Sequence, residues 1–134
     1  MATAAGKKFV NGWSGGEIEV YKAVYDFSTD AGAVSVIDLL ELKEAMVIHG
    51  GIIKVKTAGT SGGLATVEIG IKAGDTDAVL AATAVASLTA NAIFPNAAAS
   101  TALYVASASI ISMEIKVAAL TAGKIEIELQ MSKF

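Results

Sequence analysis

The sequence predicts an all-β protein, an antiparallel β-sandwich or jelly roll of about seven or eight strands with at most one short helix. Three observations carry that expectation. Short stretches alternate Lys or Glu with Ile or Val at period 2, most cleanly over 124–131. Gly-rich and small-residue connections separate these stretches, as at Ser61-Gly62-Gly63 and Thr121-Ala122-Gly123. A charge-free run from Ala78 to Met113, built largely of Ala, Ser and Thr, stands between the early strands and the late ones.

In chain order, residues 1–16 read as a flexible arm: small residues, the Lys7-Lys8 pair, the isolated aromatics Phe9 and Trp13, then Ser14-Gly15-Gly16. The remainder, 17–134, reads as one β-sandwich domain, a size suited to a single core. From Glu17 to Phe27 the pattern is period-2. Ile18, Val20 and Val24 form an apolar side, interrupted by Lys22 and Asp26 as on an edge strand, and Tyr21, Ala23 and Tyr25 lie on the other. Tyr21 and Tyr25 pack across neighbouring strands or, on the sharper reading, form a stacking platform. Ser28 to Gly32 is a turn, and Ala33 to Met46, with both extended and helical spacings, reads as strand and then loop.

Val47 onward is β, with Gly50-Gly51 marking a bulge or a close backbone approach. Thr57 to Gly63 reads as a flexible loop closing a hairpin onto Leu64–Lys72, whose alternation predicts one wet face. Gly74-Asp75-Thr76-Asp77 is placed to cap a short helix over 78–83. Thr89 to Thr101 is a small-residue excursion holding Pro95. Two β segments follow, 102–117 with a break near Ser109 and 124–131, with Thr121-Ala122-Gly123 as the turn before the last.

Composition excludes several functions. The chain has no cysteine, so it has no disulfide framework, thiolate zinc site or cysteine nucleophile. Its net charge is −3 and it contains no arginine, which argues against nucleic-acid reading. The charge-free run is long enough for a membrane span but poor in Leu, Ile and Phe, so no membrane association is expected. No apolar segment follows Lys7-Lys8, and synthesis in a cytoplasm is the expectation. A hydrophobic content of 54% is high for a lone small domain and predicts contact with other subunits.

Catalytic, cofactor and metal sites are all read as none. His49 is the only histidine and lies beside Gly50 with no nucleophile elbow near it, so it reads as structural. Asp75 and Asp77 begin like a calcium loop but lack its distal carboxylate. Glu126 and Glu128 share a strand face with lysines around them and read as a solvated face, as does the Glu41-Lys43-Glu44 cluster.

The order of segments is similar to that of small structural proteins of tailed bacteriophages, in particular capsid decoration, or cement, proteins. The likeness is carried by Ala65-Thr66-Val67-Glu68-Ile69-Gly70-Ile71, by Gly74-Asp75-Thr76-Asp77 with Ala78–Thr83, and by Ala119-Leu120-Thr121-Ala122-Gly123-Lys124-Ile125 before a last strand. The resemblance implies a β-domain on the outer surface of a virion capsid that bridges neighbouring major capsid protein subunits, as a homotrimer or a homodimer. It implies no enzymatic activity. Lys7, Lys8, Phe9 and Trp13 are the candidate capsid-docking residues of the arm. The alternative is another virion component, a head fibre, tail or host-surface carbohydrate-binding protein, in which Trp13, Tyr21 and Tyr25 stack on sugars.

Overall fold

The computed structural model describes residues 18–95 and 103–134; the arm read at 1–16, with its four docking candidates, lies outside them. Two antiparallel sheets pack face to face. The strands are β1 Glu19–Asp26, β2 Ser35–Leu42, β3 Met46–Ser61, β4 Thr66–Ile71, β5 Leu80–Ala84, β6 Ile93–Pro95, β7 Leu103–Val105, β8 Ser109–Lys116 and β9 Leu120–Lys133. The larger sheet has the order β1-β9-β3-β6, with β7 on the same edge of β3 as β6; the smaller has the order β2-β8-β4-β5. With β6 and β7 counted as two halves of an interrupted strand, this is a double-sheet jelly roll. The predicted all-β class holds, and among the described residues β1 is an edge strand, as expected.

The core lies between the sheets. The period-2 pattern of β9 sends Ile125, Ile127, Leu129 and Met131 inward, where they meet Ile48, Ile53 and Val55 of β3 and face Val67, Ile69, Ile111, Met113 and Ile115 of the smaller sheet. Tyr25 and Phe27 pack edge to face, with ring centres 5.2 Å apart, and the Tyr25 hydroxyl donates to the carbonyls of Asp30 and Ala31.

Several expectations need correction. β3 does not end at Thr57: it runs on to Ser61 along β9, where Ser61 Oγ donates to the Ala119 carbonyl and the Thr60 and Thr121 hydroxyls meet at 2.8 Å. The small residues there are a packing requirement, because Gly59 lies directly against Leu88 and Val85. Nor do β3 and β4 form a hairpin. They belong to different sheets, since both sides of β3 are occupied by β9 and by β6 and β7.

The expected helix at 78–83 is absent; Leu80–Ala84 is β5, paired with β4, and only Val85–Ser87 forms a single 3-10 turn. The expected turn at 121–123 lies inside β9. Gly123, at φ +131, instead lets β9 pass close to Phe27 and Gly59, and the reversal occurs at Val117, at φ +76. The bulge at Gly50 and the break before Ser109 are as expected.

Candidate functional site

Which face of β1 looks outward decides what this fold offers a partner. The register sets Val20 opposite Gln130, Lys22 opposite Glu128 and Val24 opposite Glu126; across β9, Glu128 and Glu126 face Ile52 and Lys54, and Lys54 faces Ile93. These residues form the outer face of the larger sheet, opposite in parity to the buried Ile53, Ile127 and Leu129. The apolar side of β1 thus points to solvent, with Val20 56% and Val24 54% exposed, and its tyrosine side points into the core. This is the packing reading of Tyr21 and Tyr25. Tyr25 is 8% exposed with its ring against Phe27, so it offers no open face for stacking.

Along the middle of this face three lysines surround two glutamates. Lys54 pairs with Glu128, Lys22 lies 3.7 Å and 3.6 Å from Glu126 and Glu128, and Lys56 is 3.6 Å from Glu126. The hydrogen bond from Lys54 holds the Glu128 carboxyl below its ordinary range, with the charges of Lys54 and Lys22 adding to it. Apolar side chains flank this ladder: Ile18 just before β1, Val20 and Val24 along it, and Ile93 on the far side. At one end Tyr104 and Phe134 stack with ring centres 4.4 Å apart, beside Val47. The outer face is therefore a ladder of mutually paired lysines and glutamates with exposed aliphatic margins, a surface suited to protein contact.

The smaller sheet is capped over β4. The loop 72–79 folds over β4, with the Ile71 N–H donating to the Asp75 carbonyl and the Val79 N–H to the Ile69 carbonyl. Beneath it Glu68, 5% exposed, accepts from Thr76 Oγ1 at 2.8 Å and from Lys116 Nζ at 2.9 Å. The wet face expected of β4 is thus closed at its centre. The Lys116 hydrogen bond holds Glu68 below the usual carboxylate range, opposed by desolvation and aided by Thr76. Asp77 moves the opposite way, raised by Asp75 beside it.

A pH dependence follows. A carboxylate whose folded pKa is depressed adds stability above its unfolded value, near 4.5 here, and that stability is lost as pH falls through the folded value. Glu68 and Glu128 both act in this sense, while Asp77 acts against them by gaining relief on protonation. Urea midpoints measured from neutral pH into acid are expected to fall below about pH 4.5. Glu68→Gln is expected to cost about 2 kcal/mol at neutral pH and to flatten the acid limb.

The other sequence candidates occupy ordinary roles. His49 is exposed on β3, with Nε2 2.7 Å from Ser132 Oγ. Asp75 makes a turn contact to the Asp77 N–H and caps no helix. Glu44 is 3.6 Å from Lys133. An open groove of 530 Å³ runs between Glu41–Lys43, Lys72–Ala73 and Ala108–Ile110; its Ser109 hydroxyl donates to the Ser107 carbonyl. Among the described residues no three of His, Cys, Asp or Glu are grouped to hold a metal, and no helix is long and apolar enough to cross a membrane. Sequence reasoning missed Glu68 and the outward turn of Val20 and Val24. The signal for the latter was present in the tyrosines, which make the opposite face of β1 the larger apolar one.

No family model and no curated protein matches this chain. Its fold does match chains in three solved structures. One is from the Cyanophage Pam1 capsid asymmetric unit, with TM-score 0.68 and 13% identity over 100% of this chain and 98% of that one. Another is from the capsid of Ralstonia phage GP4, with TM-score 0.63 and 14% identity over 96% and 92%. The third is from the acidic stable capsid structure of Helicobacter pylori bacteriophage KHP30, with TM-score 0.61 and 14% identity over 87% and 91%. The overlap spans nearly the whole of each chain, so the likeness is between complete folds.

Proposed function

We propose that this chain is a structural component of a tailed-bacteriophage virion, a decoration protein on the outer capsid surface that stabilises the shell by bridging neighbouring major capsid protein subunits. The observation that carries the reading is the likeness of the whole fold to chains found in three phage capsids. The outer face of the larger sheet supports it. Its lysines and glutamates are largely paired with one another, so the apolar margins can be covered without leaving many unpaired charges buried.

Clamping of this kind needs no reacting group. Binding that exists only on the assembled lattice stabilises that lattice by mass action, and a homotrimer or homodimer multiplies weak contacts by raising effective concentration. In this reading residues 1–16 extend the contact, with Lys7, Lys8, Phe9 and Trp13 reaching a neighbouring subunit or the shell.

Quantitative mass spectrometry of density-purified particles, expressing this chain as a ratio to the major shell protein, tests the reading. Near-equimolar or one-per-few abundance is expected, and the chain lacking residues 1–16 is expected to fold but to be recovered at a lower ratio. A handful of copies per particle would make it a neck, fibre or tail part, and absence from particles would remove the virion reading.

A further inference from the structure

The turn from β8 into β9 is strained. Val117 stands at φ +76, where a β-branched residue is an outlier, and the Ala118 N–H donates across it to the Lys116 carbonyl at 2.9 Å. A bond of that span around a positive φ makes the γ-turn that side chains disfavour. Neighbouring loops hold it in place. The Leu120 N–H donates to the Gly32 carbonyl at 2.8 Å, Ser61 Oγ donates to the Ala119 carbonyl at 2.6 Å, and Gly63 lies against the Ala118 methyl group. The strain serves no packing of Val117 itself, which is 74% exposed. A conformation fixed from several sides, around a side chain the core does not use, points to a use outside the fold.

Val117 has aliphatic neighbours. Ser35 lies opposite Ile115 and Thr66 opposite Lys116, so Val34 and Leu64 flank the turn, one leading into β2 and the other into β4. Leu64 is 83% exposed, and Val34 and Val36 are exposed as well. Four aliphatic side chains thus crown one end of the smaller sheet. Lys116, which borders them, is already engaged, 2.9 Å from Glu68 and 3.9 Å from Glu114. The described chain starts at Ile18, before Glu19 opposite Met131 at the other end of the sheets. It stops at Pro95 and resumes at Leu103, which pair with Ile52 and Ile48, so none of these ends borders the tip.

We infer that this tip of Val34, Val36, Leu64 and Val117 is a second foothold of the clamp, seated in an apolar depression of the major shell protein. The inference rests on the capsid reading, under which a bridge needs two separate contacts and the outer face of the larger sheet supplies one. Area and shape choose this occupant over a second copy. Complete burial of the four side chains removes only about 400 Å² of apolar surface, half of the roughly 800 Å² each partner gives to a stable interface. That is too little for a free dimer and enough for a lattice, where repeated weak contacts add through effective concentration. The exposure of Leu64 and Val117 also makes the tip convex, and across a two-fold axis it would meet an identical convex tip.

Titration of the full-length protein onto phage shells stripped of it tests the inference, beside urea denaturation and sizing of the free chain. Val117→Gly is expected to raise the urea midpoint by about 0.5 M, because glycine takes a positive φ without strain, and to weaken shell binding about tenfold. Leu64→Ser is expected to weaken binding to a similar extent at an unchanged midpoint. Lys43→Ser, exposed at the opposite end of the sandwich, is expected to change neither. Opposite signs for stability and binding at one residue separate a docking role from a structural one. Full binding by both tip variants, or a midpoint that Val117→Gly does not raise, would overturn the inference and leave the capsid reading standing. So would normal shell binding with a smaller free oligomer, which would make the tip a contact between copies. Shells that never take up the unsubstituted chain would remove the capsid reading and this inference together.

Discussion

Gly70→Ala is expected to destabilise the fold by about 3 kcal/mol, more than any surface substitution, although it adds a single methyl group. A Cβ at this position would sit 2.3 Å from the Asp75 carbonyl oxygen and 2.3 Å from the Thr76 carbonyl carbon, inside the space that the 72–79 loop backbone occupies. No side chain can rotate away to relieve that contact; the loop itself must lift. Lifting it strains the Ile71 and Val79 hydrogen bonds and takes Thr76 from Glu68, exposing a carboxylate that the fold otherwise keeps covered. Urea denaturation of the variant beside Gly62→Ala checks this. Gly62 has nothing within 4 Å of an added Cβ, and its substitution is expected to change stability by less than about 0.5 kcal/mol. Equal effects at the two glycines would show that the loop is not seated on β4 as described.

Ile127→Ala is expected to cost about 3–4 kcal/mol, the range for truncating a buried aliphatic side chain where neighbours relax only in part. Ile127 is fully buried at the middle of β9, between Ala23 of β1 and Ile53 of β3, so both flanking strands would border the cavity. Since a domain of this size has only about 5–15 kcal/mol of net stability, the loss should be visible as a large drop in thermal midpoint. Val20→Ala, on the exposed face of the same sheet, is the control, with an expected cost below about 1 kcal/mol in the isolated chain. If the two variants melted together, the assignment of inner and outer faces would be wrong.

The faces were legible in the sequence only where charge marked one of them. β9 carries Lys124, Glu126 and Glu128 on one parity and Ile125, Ile127 and Leu129 on the other, and it folds as that alternation says. β1 is apolar on both sides, and the aromatic side won the core because Tyr25 finds carbonyl partners for its hydroxyl there. β5 is rich in alanine, a good helix former, yet it pairs with β4 through Thr66 opposite Ala84 and Val67 opposite Thr83. Local propensity lost to a neighbouring edge that no short window contains. Strand partnership was illegible for the same reason: among strands adjacent in sequence only β4 and β5 pair, and every other pairing joins distant segments. The bulk of the candidate surface was hidden in that non-local register, whereas the alternation of Lys124, Glu126 and Glu128 with aliphatic residues on its central strand was plain in the sequence.

The position of β9 between β1 and β3 bears on how the chain acquires this fold. The larger sheet cannot close around its central strand until β9 is available, although both flanking strands have been made long before. During synthesis β1 and β3 must wait with their inward residues, Tyr25, Ile48 and Ile53 among them, uncovered. Such sequence-distant pairing predicts slow, late and cooperative folding, in milliseconds to seconds rather than microseconds. It also predicts a nascent chain that needs protection from aggregation until its last strand emerges.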